Sequence, residues 1–226
     1  MTRLNWNSVG DRRYETGVDR GVLYPLNAGG VPWNGLISVS ESPDGGNASA
    51  YYIDGFKYYN ESTPEEFEAT IEAFTYPDEF ALCDGTAEIY EGLSITQQPR
   101  VAFDMSYRTK VGNDFVGQNF GYKIHLIYNA LASPSNRDNE TIDNSPDAMT
   151  FTWDITTSPI LVPNLKPSAH FVVDSTKTKA ATLADLEDIL YGTDVLVPRM
   201  PRPDELITMF NSTPPNVFTS TFGEYF

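Results

Sequence analysis

The chain has 226 residues and a mass of 25.2 kDa, enough for one large all-β domain or two small ones. Hydrophobic residues make up 40%, which can fill a core, and the net charge of −16 excludes holding nucleic acid by phosphate neutralisation. Cys83 is the only cysteine, which excludes an intrachain disulfide framework and a Cys-based zinc site. No apolar run reaches 18 residues, so no transmembrane helix is expected. The N-terminus shows no apolar signal-peptide core, so a reducing, cytosol-like compartment, or a particle assembled there, is expected.

Taken in chain order, the dominant pattern is period-2 alternation, the mark of half-buried strands. Residues 36–41 set Ile37 and Val39 against Ser38 and Ser40. A hairpin is predicted at YYIDGFKYY, because Asp54-Gly55 supplies the positive φ of a tight turn. Residues 62–76 carry two signals. Thr63-Pro64-Glu65-Glu66 resembles a helical capping box, but Phe67, Ala69, Ile71 and Ala73 then alternate with Glu66, Glu68, Thr70 and Glu72, which favours a strand. Further alternating runs start at Val101, Tyr122, Met149 and Ala169. His125 and His170 fall on the polar sides of two of these runs and read as ordinary surface or interface histidines.

A helix is predicted over 182–191, with Thr182 as cap, an apolar stripe of Leu183, Leu186, Ile189 and Leu190, and Gly192 as terminator. A second, short helix is expected from Pro203-Asp204. Residues 108–121 and 129–147 read as long irregular loops, and a loop of that length calls for a task. The tail 211–226 has no periodicity but carries Phe218, Phe222, Tyr225 and Phe226. The fold class expected is mainly β, a sandwich or barrel with one flanking helix.

Chemistry-bearing motifs are absent: there is no nucleophile elbow, phosphate-binding glycine loop or HExxH-type spacing. The expectation is therefore no enzyme, no cofactor, and no catalytic, cofactor-binding or metal residues. With 31 acids in the chain, adjacent carboxylates say little about a glycosidase, although a sugar-binding face remains open. Four Asn-x-Ser/Thr sequons read as chance polar loops without a secretory signal. Charge is uneven. Residues 41–91 hold 13 acids and one base, while 1–20 hold four arginines and three acids, so the two regions could complement each other between copies.

Several segments together resemble one family. They are GDRRYETGVDRGVLYP at 10–25, GVPWNGL at 30–36, STPEEFEATIEAFTYPDEFALCDG at 62–85, SYRTKVGND at 106–114, GYKIHLIYNALASPS at 121–135, FTWDITTSP at 151–159, PSAHFVVDSTKT at 167–178 and LEDILYGTD at 186–194. They look like the major tail protein of long-tailed, non-contractile phages of actinobacteria. The resemblance covers roughly residues 10–210 and implies a tail-tube β-sandwich or barrel. It also implies hexameric rings stacked into a hollow virion tube, assembled in the bacterial cytoplasm. Such a tube surrounds a tape-measure protein, meets terminator and tail-tip proteins, and conducts DNA without binding it. A terminator or tail-tip protein is the alternative, and a carbohydrate-binding sandwich a more distant one.

On this reading the chain is a single tail-tube domain, 1–226, with an N-terminal arm, 1–30, and a C-terminal arm, 211–226. Glu66, Glu68 and Glu72 are candidates to face the lumen. Arg108, Lys110, Phe115 and Phe120 are candidates for an inter-subunit loop. Phe218, Phe222, Tyr225 and Phe226 would anchor the C-terminal arm on a neighbour.

Overall fold

The computed structural model describes residues 3–26, 28–134, 137, 139, 141 and 148–211. The elements in order are β1 (Arg13–Pro25), β2 (Val31–Pro32), β3 (Leu36–Glu41), β4 (Asp44–Gly45), β5 (Ala48–Ile53), β6 (Phe56–Ser62), β7 (Glu65–Glu66) and β8 (Glu68–Ala73). A short 3-10 helix, Asp78–Leu82, follows. Then come β9 (Ala87–Tyr90), β10 (Leu93–Ile95), β11 (Phe103–Asn113), β12 (Gly117–Ala132), β13 (Phe151–Thr157), β14 (His170–Asp174), α1 (Ala180–Tyr191) and α2 (Pro203–Asn211). The fold is mainly β, as the alternation requires.

Eight strands form one antiparallel sheet in the order β2-β1-β11-β12-β13-β8-β3, with β14 added on β12. The strand β12 is long enough to take two partners in succession. Residues 123–127 pair with β14 and 130–132 with β13, so the sheet forks along that edge. The two margins also approach each other, since β1 lies against β3 without a ladder between them. Gly21 permits this approach, because a Cβ there would sit 2.8 Å from Leu36 Cδ2. The sheet is thus curled, with an inner and an outer face.

The inner face is filled by Leu23, Trp33, Ile71, Phe80, Phe103, Met105, Ile127, Trp153 and Ile155. Burying a side chain of this size contributes roughly 1.5–3 kcal/mol. The 3-10 helix delivers Phe80 as a plug, with ring centroids 4.7 Å from Trp33 and 5.1 Å from Trp153. The outer face of β1, β11 and β12 packs Val22, Tyr24, Ile124, Leu126 and Tyr128 against Leu186, Leu190 and Leu206 of the helices. Two tyrosines pin this layer. Tyr24 donates to the Leu190 carbonyl at 2.9 Å, and Tyr128 to that of Pro201 at 2.8 Å.

Several sequence expectations are corrected here. Residues 108–121 are not a loop. They form the far half of the β11–β12 hairpin, with Arg108 opposite Ile124 and Lys110 opposite Tyr122. Polar residues in this stretch hide a strand pair whose ladder is closed by neighbours rather than by local periodicity. The arm 1–30 shrinks to the residues before Arg13, because Val22, Leu23 and Tyr24 are buried and draw 13–25 into the sheet as β1. The flanking helix starts at Ala180, with no side-chain cap from Lys179, so Thr182 lies inside it. Gly192 does terminate it, at φ 78°, and a second helix, α2, joins it. Of residues 129–147, the first four belong to β12 and most of the rest lie outside the described residues. The tail anchors Phe218, Phe222, Tyr225 and Phe226 lie outside them too.

Candidate functional site

The residues that stand out do so by what is left uncovered. Among the described residues the hairpin β5–β6 pairs only with itself, apart from the main sheet. Its turn is the predicted one, with Asp54 at φ 50° and Gly55 at φ 80°. Tyr51, Tyr52, Ile53, Phe56, Tyr58 and Tyr59 are all exposed, with Phe56 at 79% and Tyr58 at 76%. The one internal aromatic contact is Tyr51 on Tyr59, stacked at 5.6 Å. The smaller hairpin β9–β10 repeats the pattern, exposing Ile89, Tyr90, Leu93 and Ile95. The turn after α1 exposes Val195, Leu196 and Val197, and the segment before β1 exposes Leu4, Trp6 and Val9.

The structure divides the predicted loop residues. Phe115 lies at the tip of the β11–β12 hairpin, 79% exposed, next to exposed Val116. Arg108 is committed within the chain: Nε and Nη2 donate to the two Asp19 carboxylate oxygens at 2.6 and 2.8 Å, and the guanidinium stacks 4.6 Å from the Tyr122 ring centre. The Arg108 hydrogen bond holds the Asp19 carboxyl below its usual range. Lys110 is 3.8 Å from Asp19, and Phe120 lies under the Arg13 guanidinium at 5.1 Å. The N-terminal arginines are engaged likewise, Arg20 over Tyr191 and Arg12 beside Asp114.

Glu68 and Glu72 behave as the alternation implies. Phe67, Ala69, Ile71 and Ala73 turn inward, and Glu68, Thr70 and Glu72 turn outward. Register adds Ser38 and Ser40 from β3 and Thr152, Asp154 and Thr156 from β13 to that outer face. Thr70 donates to Asp154 at 2.7 Å, and Ser38 to Glu72 at 3.3 Å. This patch holds acids and hydroxyls and no Lys or Arg among those strand residues. Glu66 is not part of it, because it sits in the separate two-residue ladder with Asp44.

Sequence reasoning missed one constellation. His125 is no surface residue. It is buried at 6% exposure on the inner face, because helices cover β12 on the outside and the curl covers it on the inside. Its Nδ1 lies 3.2 Å from His170 Nε2 and 3.2 Å from Glu41 Oε1. Its Nε2 is 3.1 Å from Thr109 Oγ1, and its ring stacks on Tyr107 at 4.6 Å. Tyr107 donates to Glu41 Oε1 at 2.6 Å, and Phe67 covers the His170 ring at 4.3 Å. Burial lowers both imidazoles, His170 to about 4, against the opposing pull of Glu41. Nothing in the spacing 41, 125, 170 announces this meeting.

No protein-family model and no curated protein matches the chain. Among solved structures, the chain is similar to one from the sheath–tube complex of an extracellular contractile injection system in its extended state. Identity is 14%, TM-score 0.33, and coverage 69% of this chain and 88% of that one. It is also similar to the tube-terminating cap of the anti-feeding prophage, at 10% identity and TM-score 0.34, covering 77% and 97%. A third is a sheath/tube terminator of the same type of injection system, at 15% identity and TM-score 0.34, covering 71% and 97%.

Proposed function

We propose that this protein is a structural subunit of a virion tail, which self-assembles into stacked hexameric rings forming the tail tube. The observation that carries the reading is the β5–β6 hairpin. A two-stranded hairpin is marginal in water by itself, and this one has an aromatic or apolar side chain at six positions, all exposed in the single chain. Contiguous exposed apolar surface on that scale marks a contact with another macromolecule. The exposed β9–β10 hairpin, the 193–197 turn and the tip at Phe115 distribute such surface over several sides, as a subunit with neighbours in and between rings requires. The long β1–β11–β12 arm offers a further contact. Residues 13–20 of β1 pair with β11 on one edge and with no described strand on the other, and an open edge is a template for a further strand.

The sequence resemblance to siphovirus major tail proteins supplies the remainder of the reading: a tube around a tape-measure protein, closed by terminator and tip proteins, passing DNA without specific contacts. The mechanism is geometric and electrostatic, with no bond chemistry.

The test is assembly itself. Purified full-length protein should form hexameric rings or striated tubes under the electron microscope. The double variant Phe56→Ser/Tyr58→Ser should keep the wild-type circular dichroism spectrum and thermal midpoint yet fail to form tubes. Wild-type protein that stays a monodisperse monomer at every concentration and salt tried would overturn the reading.

A further inference from the structure

We propose that Glu41, His125 and His170 form a binding site for a divalent first-row transition-metal cation of the zinc type. One ligand atom from each of the three residues lies within 4.8 Å of the other two. His125 Nδ1 is 3.2 Å from both His170 Nε2 and Glu41 Oε1. Metal bonds of ~2.0–2.1 Å in tetrahedral geometry put neighbouring ligands ~3.3 Å apart. Two edges of the polyhedron are therefore already in place. The third closes by a small rotation of the Glu41 side chain, which is 37% exposed.

The surroundings supply what ligating groups need. With His125 Nδ1 carrying its lone pair inward, Nε2–H donates to Thr109 Oγ1 at 3.1 Å, which holds the ring plane. The Tyr107 hydroxyl donates to the Glu41 carboxylate at 2.6 Å and holds it against the imidazoles. Phe67 and Tyr107 wall the site with aromatic rings on His170 and His125. Two imidazoles and one carboxylate suit zinc, cobalt or iron, whereas magnesium and calcium prefer all-oxygen sets. A water completes the coordination on the exposed Glu41 side.

The position in the fold gives the site a task. Glu41 ends β3, a margin of the sheet, and the histidines lie on β12 and β14, on either side of the ladder at the fork. Among the described residues no ladder joins β3 to β12 or β14. A cation here ties the margin to the middle and holds the sheet curled. The site is independent of the tube reading, and neither depends on the other.

The experiment uses the full chain, stripped with a chelator and titrated with ZnCl2 by calorimetry, with CoCl2 followed by visible absorption. One zinc per chain, d–d bands of low-coordinate cobalt, a higher thermal midpoint with zinc, and no response to MgCl2 or CaCl2 are expected. Glu41→Gln and His170→Gln should each weaken zinc binding at least ~10-fold, with metal-free circular dichroism unchanged. If His170→Gln does not fold, Glu41→Gln, at the exposed end, decides alone. The chain has only two histidines and a buried cysteine, so a competing zinc site would have to be made of carboxylates. Folded wild-type protein without stoichiometric zinc binding, or binding that Glu41→Gln leaves intact, would overturn the proposal and leave a hydrogen-bonded histidine pair.

Discussion

Cys83 ends the 3-10 helix inside the aromatic cluster of the inner face, with Phe80, Trp33 and Trp153. Burial, aided by the neighbouring Asp84 charge, pushes its thiol up to about 11. Only the thiolate attacks an electrophile, so the native protein should resist iodoacetamide at pH 8. The same reagent should label it fully in denaturant. Rapid labelling of native protein, read by mass spectrometry, would show that the plug opens. Asp84 itself illustrates how the cluster is held. It accepts from Trp153 Nε1 at 3.0 Å and pairs with Arg137, and Arg137 also lies over the Tyr76 and Phe151 rings. None of these partners is adjacent in sequence, so the alternation alone could mark Trp153 as inward-facing but not name what it meets.

At the scale of elements, the β11–β12 hairpin separates two roles that the sequence merged. Its stem is intramolecular: Arg108 serves Asp19 and Tyr122, and Tyr122 donates to Glu187 of α1 at 2.7 Å. Its tip is not, for Phe115 and Val116 contribute exposed apolar surface on a turn braced by Asn113 Oδ1, which accepts from their backbone amides at 3.2 and 2.6 Å. Deleting 112–119 would cut into the ladder. The sharper variant is Phe115→Ser/Val116→Ser, expected to leave the unfolding midpoint in urea unchanged while slowing tube formation severalfold in a light-scattering assay. Arg108→Ala, in contrast, should lower the urea midpoint of the monomer. If the tip variant polymerises at the wild-type rate, the tip lies outside every inter-subunit contact.

At the scale of the whole molecule, the acidic patch on β8 and β13 gathers Glu68, Glu72 and Asp154 on one face. In the proposed hexamer the net charge of −16 per chain is multiplied six-fold, and we propose that Glu68 and Glu72 face the channel. A wall of acids repels duplex DNA at short range and leaves it free to slide, because the repulsion is screened beyond about 8–10 Å at physiological salt. Lysines there would instead hold phosphates through counterion release, an attraction that falls steeply with salt. Virions carrying Glu68→Lys/Glu72→Lys in the tail should therefore release DNA slowly at low salt and recover at high salt. Unchanged release from intact tails would put these residues on the outer surface, where they serve solubility. Glu66, on its separate ladder with Asp44, is not needed for the effect.

Local rules were enough for part of this protein. Strands β3, β13 and β14, the Asp54-Gly55 turn, the inward set Ala69, Ile71 and Ala73 on β8, and the glycine stop after α1 follow from side-chain period and backbone conformation, which neighbours in sequence dictate. The tertiary structure decided what depends on distant partners. The alternation in β12 put His125 on the polar side, and only the curl of the sheet, which covers that side too, turns it into an interior position. The polar stem at 108–113 reads as a loop until Asp19 and Tyr122 arrive from other strands to satisfy Arg108. The meeting of Glu41, His125 and His170 comes from the curl of the sheet and the fork in β12. These are properties of chain closure, and residue spacing along the chain carries no record of them.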